Sequence, residues 1–320
     1  MSCAVRFSAI VFLAAFTAAK AMAADDYSMR LDALWSFDDP KTSEARFRAE
    51  MAKYDPVSRE ALEAATQVAR AEGLQRKFEA TDATLDAVAR ALDRAPARVS
   101  VRYLLERGRR QNSSGNPQGA VPLFSRALEA SRKDALADAD FYRIDALHML
   151  GLAAEPADRL AWDEKALAAA DASNEARARG WRGSLLHNIG WAHHERGDYQ
   201  RALDAWQKAL AIREASGDVE RTRLARWTVA RGLRSLGRLD EAESIQRALA
   251  AETEAASVPD GYIYEELAEI ALARNDAAQA KPWAAKAYAL LKDDAFLAAE
   301  EPARLARLAK IGDVEKATTR

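Results

Sequence analysis

"LLHNIGWAHHERGDYQRALDAWQKALAI", Leu185 to Ile212, is the stretch that decides the fold. Counting from Gly190, small residues recur twelve positions on at Ala202 and nineteen on at Ala209. Two helices joined by a tight turn approach closely only where the side chains at their crossing are small. Between the small residues lies "RGDY", Arg196–Tyr199, whose glycine can take the left-handed helix cap and whose aspartate can start the next helix. The same steps lead from Gly108 to Ala120 and Ala127, and from Ala268 to Ala280 and Ala287. They lead also from Ala230 to Ala242 and Leu249, and more weakly from Ala69 to Thr81 and Val88. Turns of the same kind are written "SGNP" at Ser114–Pro117, "LGRL" at Leu236–Leu239 and "RNDA" at Arg274–Ala277. The stretch is therefore one unit of a repeat.

Gly190, Gly197, Ala202, Trp206 and Ala209, echoed by Gly108, Gly115, Ala120, Phe124 and Ala127, resemble the signature of the tetratricopeptide repeat (TPR) family. First small positions fall at Ala69, Gly108, Gly151, Gly190, Ala230 and Ala268, spaced by 39, 43, 39, 40 and 38 residues. The commonest repeat of this family is about 34 residues long. The longer spacing is similar to the long-helix subclass of kinesin light chains and the maltotriose-dependent transcription activator, over residues 56–292. That resemblance implies an all-α fold: a right-handed α-solenoid of about six TPR-like helical hairpins with capping helices. The third unit is four residues short, with Pro156 expected to end one helix and open the next. Pro122 and Pro282 recur at one repeat position, as a tolerated bend or a late helix start. Asp39–Tyr54, within an N-terminal segment 24–55, and Glu301–Gly312, within a C-terminal segment 293–320, read as the caps.

Acidic and basic residues are interleaved and the formal net charge is −2, which argues against a nucleic-acid-binding tail or a polybasic membrane patch. Residues 1–23 read as a signal peptide: Arg6, an apolar run from Phe7 to Ala19, then Ala21 and Ala23 before a cleavage point at Ala24. The run is short for a membrane span. The expectation is export, to the periplasm in a Gram-negative bacterium, with no stable membrane insertion after cleavage. Cys3, the single cysteine, would leave with that segment, so the mature chain would have no thiol for a disulfide, a nucleophile or a metal.

No H-E-x-x-H, G-x-S-x-G, phosphate-binding glycine loop or C-x-x-C occurs. His187 and His194 are seven residues apart, a rise of about 10.5 Å on one helix, too far for one metal, and His193 points between helices. No catalytic residue, metal site or cofactor is expected. Binding is. Inner-surface positions lie one residue after each first small residue (Arg70, Arg109, Leu152, Trp191, Arg231, Glu269) and three before it (Thr66, Leu105, His148, His187, Trp227, Glu265). Four after it come Asn112, His194 and Arg234. The expected partner face is thus His187, Trp191, His194, Trp227, Arg231 and Arg234, with Arg109 and Asn112. Rings with forked cations suit a peptide carboxylate, an acidic side chain or an aromatic group; the alternative for Trp191 and Trp227 is packing between repeats. The Lys/Asn clamp that some members of the family use for a peptide C-terminus is not matched, since only Asn188 falls at a suitable place. Phe124 and Trp206 should fill the core, and Trp162, Trp181 and Trp283 should pack. The expected function is a non-catalytic scaffold for a protein or peptide, not nucleic acid. The alternative is a ligand-sensing or accessory subunit of a cell-envelope enzyme or secretion complex.

Overall fold

The computed structural model describes residues 27–132, 136 and 138–314, and no strand occurs among them. Its contacts group into two compact units. The first, ending at Trp181, contains α1 (Pro40–Met51), α2 (Arg59–Leu74), α3 (Phe78–Ala89), α4 (Ala97–Ser113), α5 (Pro117–Ser131), α6 (Ala139–Ala153), α7 (Pro156–Ala172) and the one-turn α8 (Ala176–Arg179). The second, beginning at Arg182, contains α9 (Arg182–Glu195), α10 (Tyr199–Ser216), α11 (Val219–Ser235), α12 (Leu239–Ala255), α13 (Gly261–Ala273), α14 (Ala277–Leu291), α15 (Ala295–Glu300) and α16 (Pro302–Gly312). Each unit holds three of the expected hairpins: α2/α3, α4/α5 and α6/α7, then α9/α10, α11/α12 and α13/α14. The helix α1 packs on α2, and α16 packs on α14.

Five of the six hairpins turn in one way. A residue with positive φ follows the first helix: Arg76 (59°), Gly115 (84°), Gly197 (76°), Gly237 (74°) and Asn275 (61°). The next amide donates to the carbonyl five residues back, as in Asp198 N to His193 O and Asn116 N to Gln111 O, both 3.0 Å. This closes the orphan carbonyls of the helix end. Glycine or asparagine takes the strained position in four turns, and Arg76 takes it in the first. The third hairpin differs. Ala154 and Glu155 are extended and α7 begins at Pro156, because a residue before proline is pushed out of the helical region.

Small residues close the crossings. A methyl group at Gly190 would collide with the indole of Trp206, and one at Gly108 with the ring of Phe124. Both rings are fully buried, as expected, and Trp206 Nε1 donates to His187 O at 3.1 Å. Pro122 and Pro282 both lie five residues inside their helices, α5 and α14, so neither marks a late start. Asp39 begins α1 by accepting from Thr42 N at 3.0 Å. The segment read as a signal peptide, with Cys3, lies outside the described residues.

Candidate functional site

The register read from the small residues carries through to two clefts, one in each unit. All six residues that follow a first small position line a cleft: Arg70, Arg109 and Leu152 in the first unit, Trp191, Arg231 and Glu269 in the second. The second unit's cleft has a volume of about 1200 Å³. From α11 it receives a stripe at helical spacing: Glu220, Arg223, Leu224, Trp227, Arg231 and Arg234. Trp191 comes from α9, Tyr262, Ile263, Glu265 and Glu269 from α13, and Glu301, Arg304 and Arg307 from the last helix and its cap. Its apolar wall is made by Trp191, Trp227 and Tyr262, with Leu224 and Val258 at 51 % and 54 % exposure.

The cations of this cleft are already paired. Arg231 Nη1 donates to Glu266 Oε1 at 2.5 Å, and Arg234 Nε to Glu266 Oε2 at 2.8 Å. Glu266 is 1 % exposed and belongs to the next hairpin. Burial disfavours the charge of Arg234, but the hydrogen bond and charge of Glu266, with the charges of Glu269 and Glu265, together outweigh it and hold the guanidinium above the usual arginine range. Arg304 forks onto Glu265 at 2.7 and 2.6 Å, and Arg307 is paired with Glu269. Arg223 is held by Glu220 and Glu252, each at 2.7 Å. The expectation that Arg231 and Arg234 stand ready for a carboxylate is therefore corrected: a single buried acid of α13 pairs with both. Arg231 still stacks over the two indoles, 5.7 Å from Trp191 and 6.0 Å from Trp227.

Two expected contact residues do not line the cleft at all. His187 Nε2 accepts from Trp191 Nε1 at 3.1 Å, and His194 Nε2 shares a hydrogen bond with Ser235 Oγ at 2.8 Å. Both rings pack beside Trp191, which takes the lining position in their place. Burial, then Arg213, lowers the His187 pKa; burial, then Arg231 and Arg234, lowers that of His194. Neutral rings suit an imidazole that must accept an indole N–H. His193 is largely buried, its Nδ1 3.8 Å from Asp198 Oδ2. Trp191 and Trp227 do both things weighed for them: each lines the cleft and each packs, Trp191 at 5.1 Å from the Trp206 ring and Trp227 donating to Tyr262 O at 3.2 Å.

In the first unit a smaller cleft, about 280 Å³, is lined by Arg70, Glu106, Arg109, Arg110, Asn112 and Asp145, with Leu74, Met149, Leu152 and Trp181. Arg109 and Asn112 thus stand in a different unit from the other six expected residues. Arg109 is clamped between Glu106, at 2.5 Å, and Asp145. Thr66 and Leu105, read as inner-surface positions, are buried. Trp181 lines this cleft besides packing near His148, with ring centroids 5.3 Å apart.

Leu224, Tyr262 and Asp145 were not read from the sequence as site residues, yet all three lie six residues before a first small position. They extend the same stripe by one turn, and that is the signal by which they could have been found. Val258, Arg304 and Arg307 have no such signal, since they come from a loop and the terminal helix. Among the described residues no group of three or more His, Cys, Asp or Glu could hold a metal ion, and no helix is long and apolar enough to cross a membrane.

Residues 181–251 match the family model of the tetratricopeptide repeat. No curated protein matches the sequence. Solved structures do. The nearly identical TPR-like repeats of a Podosopora anserina kinesin light chain are 18 % identical, with 62 % of this chain and 98 % of that one covered and a TM-score of 0.50. The apo form of RapI is 9 % identical over 91 % of this chain and 80 % of that one, with a TM-score of 0.64. NprR in complex with its cognate peptide NprX is 13 % identical over 92 % and 83 %, with a TM-score of 0.51. At these identities the likeness is one of fold.

Proposed function

We propose that this chain, a tetratricopeptide-repeat protein of the long-helix kind, is a non-catalytic scaffold that binds a peptide or protein segment in the cleft of its second unit. The observation that carries this reading is the composition of that cleft. An aromatic and aliphatic wall stands beside arginines and acids that neutralise one another. Such a surface gives up little on losing water, because its charges keep their partners, and it gains by covering the indoles. An apolar or aromatic anchor on a peptide suits it better than a free carboxylate. The NprR structure, solved with its cognate peptide, supports a peptide as the class of partner for this fold.

Trp191 and Arg231 are poor probes, since one packs on Trp206 and the other holds Glu266. Leu224 and Val258 line the cleft while standing half exposed. Peptides selected from a displayed random library on the full chain should carry apolar or aromatic anchors. Leu224→Glu with Val258→Glu should weaken them by about tenfold or more, the effect of losing one anchor's contacts, with melting unchanged. Selected peptides that bind the double variant as well as the wild type would place the site elsewhere. The proposal includes export: protein recovered from a cell envelope should begin near Ala24, and full-length chain in the cytosol would contradict that part.

A further inference from the structure

The smaller cleft of the first unit contains an arginine that makes no ion pair among the described residues. Arg70 on α2 follows Ala69 as Arg231 follows Ala230. Arg231 is closed by Glu266, two residues before Ala268 of the next hairpin. The corresponding acid for Arg70 is Glu106, two residues before Gly108. Glu106, however, accepts from Arg109 Nη1, while the other arm of Arg109 grips Asp145. Arg70 is left with no hydrogen bond or ion pair among the described residues. Its guanidinium lies over the stacked rings of Trp35 and Phe37, 5.6 and 5.8 Å from their centroids. Burial first, and Arg109 second, depress its pKa, against the opposing pull of Glu106 and Asp145.

The rest of the cleft narrows the chemistry. The amide of Asn112 lines it and has no hydrogen-bond partner among the described residues. Arg110 is taken by Asp82 and Arg109 by Glu106 and Asp145, so Arg70 is the cleft's guanidinium whose fork has no acceptor. A planar fork whose N–H groups lack an acceptor matches a carboxylate, whose two oxygens it can satisfy. Leu74 and Leu152, at 51 % and 47 % exposure, stand on two different helices of the rim. An acidic residue inside a peptide has a neighbour on each side to cover them; a chain terminus has only one. About 280 Å³ is room for one side chain.

We propose that the cleft of the first unit binds an acidic side chain of a peptide flanked by apolar residues, with Arg70 forking the carboxylate and Asn112 donating to it. The site lies in the other unit from the one proposed above, and the two stand or fall separately.

Calorimetric titration of the full chain at low ionic strength with acetyl-Leu-Glu-Leu-amide, its Gln isostere and acetyl-Leu-Leu acid tests this. The Glu peptide should bind about tenfold tighter than the Gln peptide, as expected for a charge-assisted pair. Arg70→Met should abolish that ratio, and Asn112→Ala should weaken the Glu peptide by about fivefold with melting unchanged. Equal binding of the Glu and Gln peptides, or tighter binding of the free acid, would overturn the proposal. So would an Arg70→Met protein that keeps the preference. Should Arg70→Met not fold, Asn112→Ala decides, and an unchanged affinity for the Glu peptide there counts against the site.

Discussion

Arg70 and Arg231 occupy the same slot of the same repeat, yet Arg231 is locked to a buried acid and Arg70 makes no hydrogen bond or ion pair among the described residues. The difference lies one hairpin further on. In α13 the slot holds the acid Glu269, so no arginine of that helix draws Glu266 away, and it serves both Arg231 and Arg234. In α4 the slot holds Arg109, which takes Glu106 away from Arg70. A slot's charge is thus set by the adjoining repeat as much as by its own side chain, and one arginine can turn a stabilising pair into a binding group.

The largest expected effect falls on the locked side. Glu266→Gln strips two partly buried arginines of their shared partner and should cost about 2–3 kcal/mol in urea unfolding. Arg70→Met, which breaks no pair, should cost about 1 kcal/mol or less. Equal losses would erase the comparison. A middling effect sharpens it: Arg109→Gln should cost about 1–2 kcal/mol, since Glu106 is then free to pair with Arg70. Adding Arg70→Met to it should cost more than the sum of the single losses, because the replacement pair is lost too. An additive cycle would show that Glu106 never reaches Arg70.

A smaller effect concerns pH and the two imidazoles of the second unit. Their folded pKa values lie below that of an unfolded histidine, about 6.5. Below that pH the unfolded chain takes up protons that the folded one resists, so stability should fall as pH drops from about 7 toward 5. His187→Gln with His194→Gln should flatten the slope of melting temperature in that window. An unchanged slope would assign the dependence to other groups.

The hairpins, their turns and the lining slots were legible because each follows from residue size, glycine geometry and helical spacing. Gly190 announces the Trp206 crossing, and Gly197 announces the turn. Pairing was not legible. Periodicity places Arg231 on a face and is silent about Glu266, thirty-five residues away. It also places His187 and His194 beside Trp191 without saying which ring will cover the others. The contribution of Arg304 and Arg307 escaped because the helix carrying them reads as a cap, and capping says nothing of what its exposed side will border.

The central claim, a partner segment seated against the indoles of the second unit, is tested most directly by hydrogen exchange on the full chain with and without a selected apolar-anchored peptide. The account predicts added protection in the loop 256–260, which carries Val258, and at the start of α13, with none in α2–α5. Protection confined to the first unit, or absent from the loop at Val258, would contradict it.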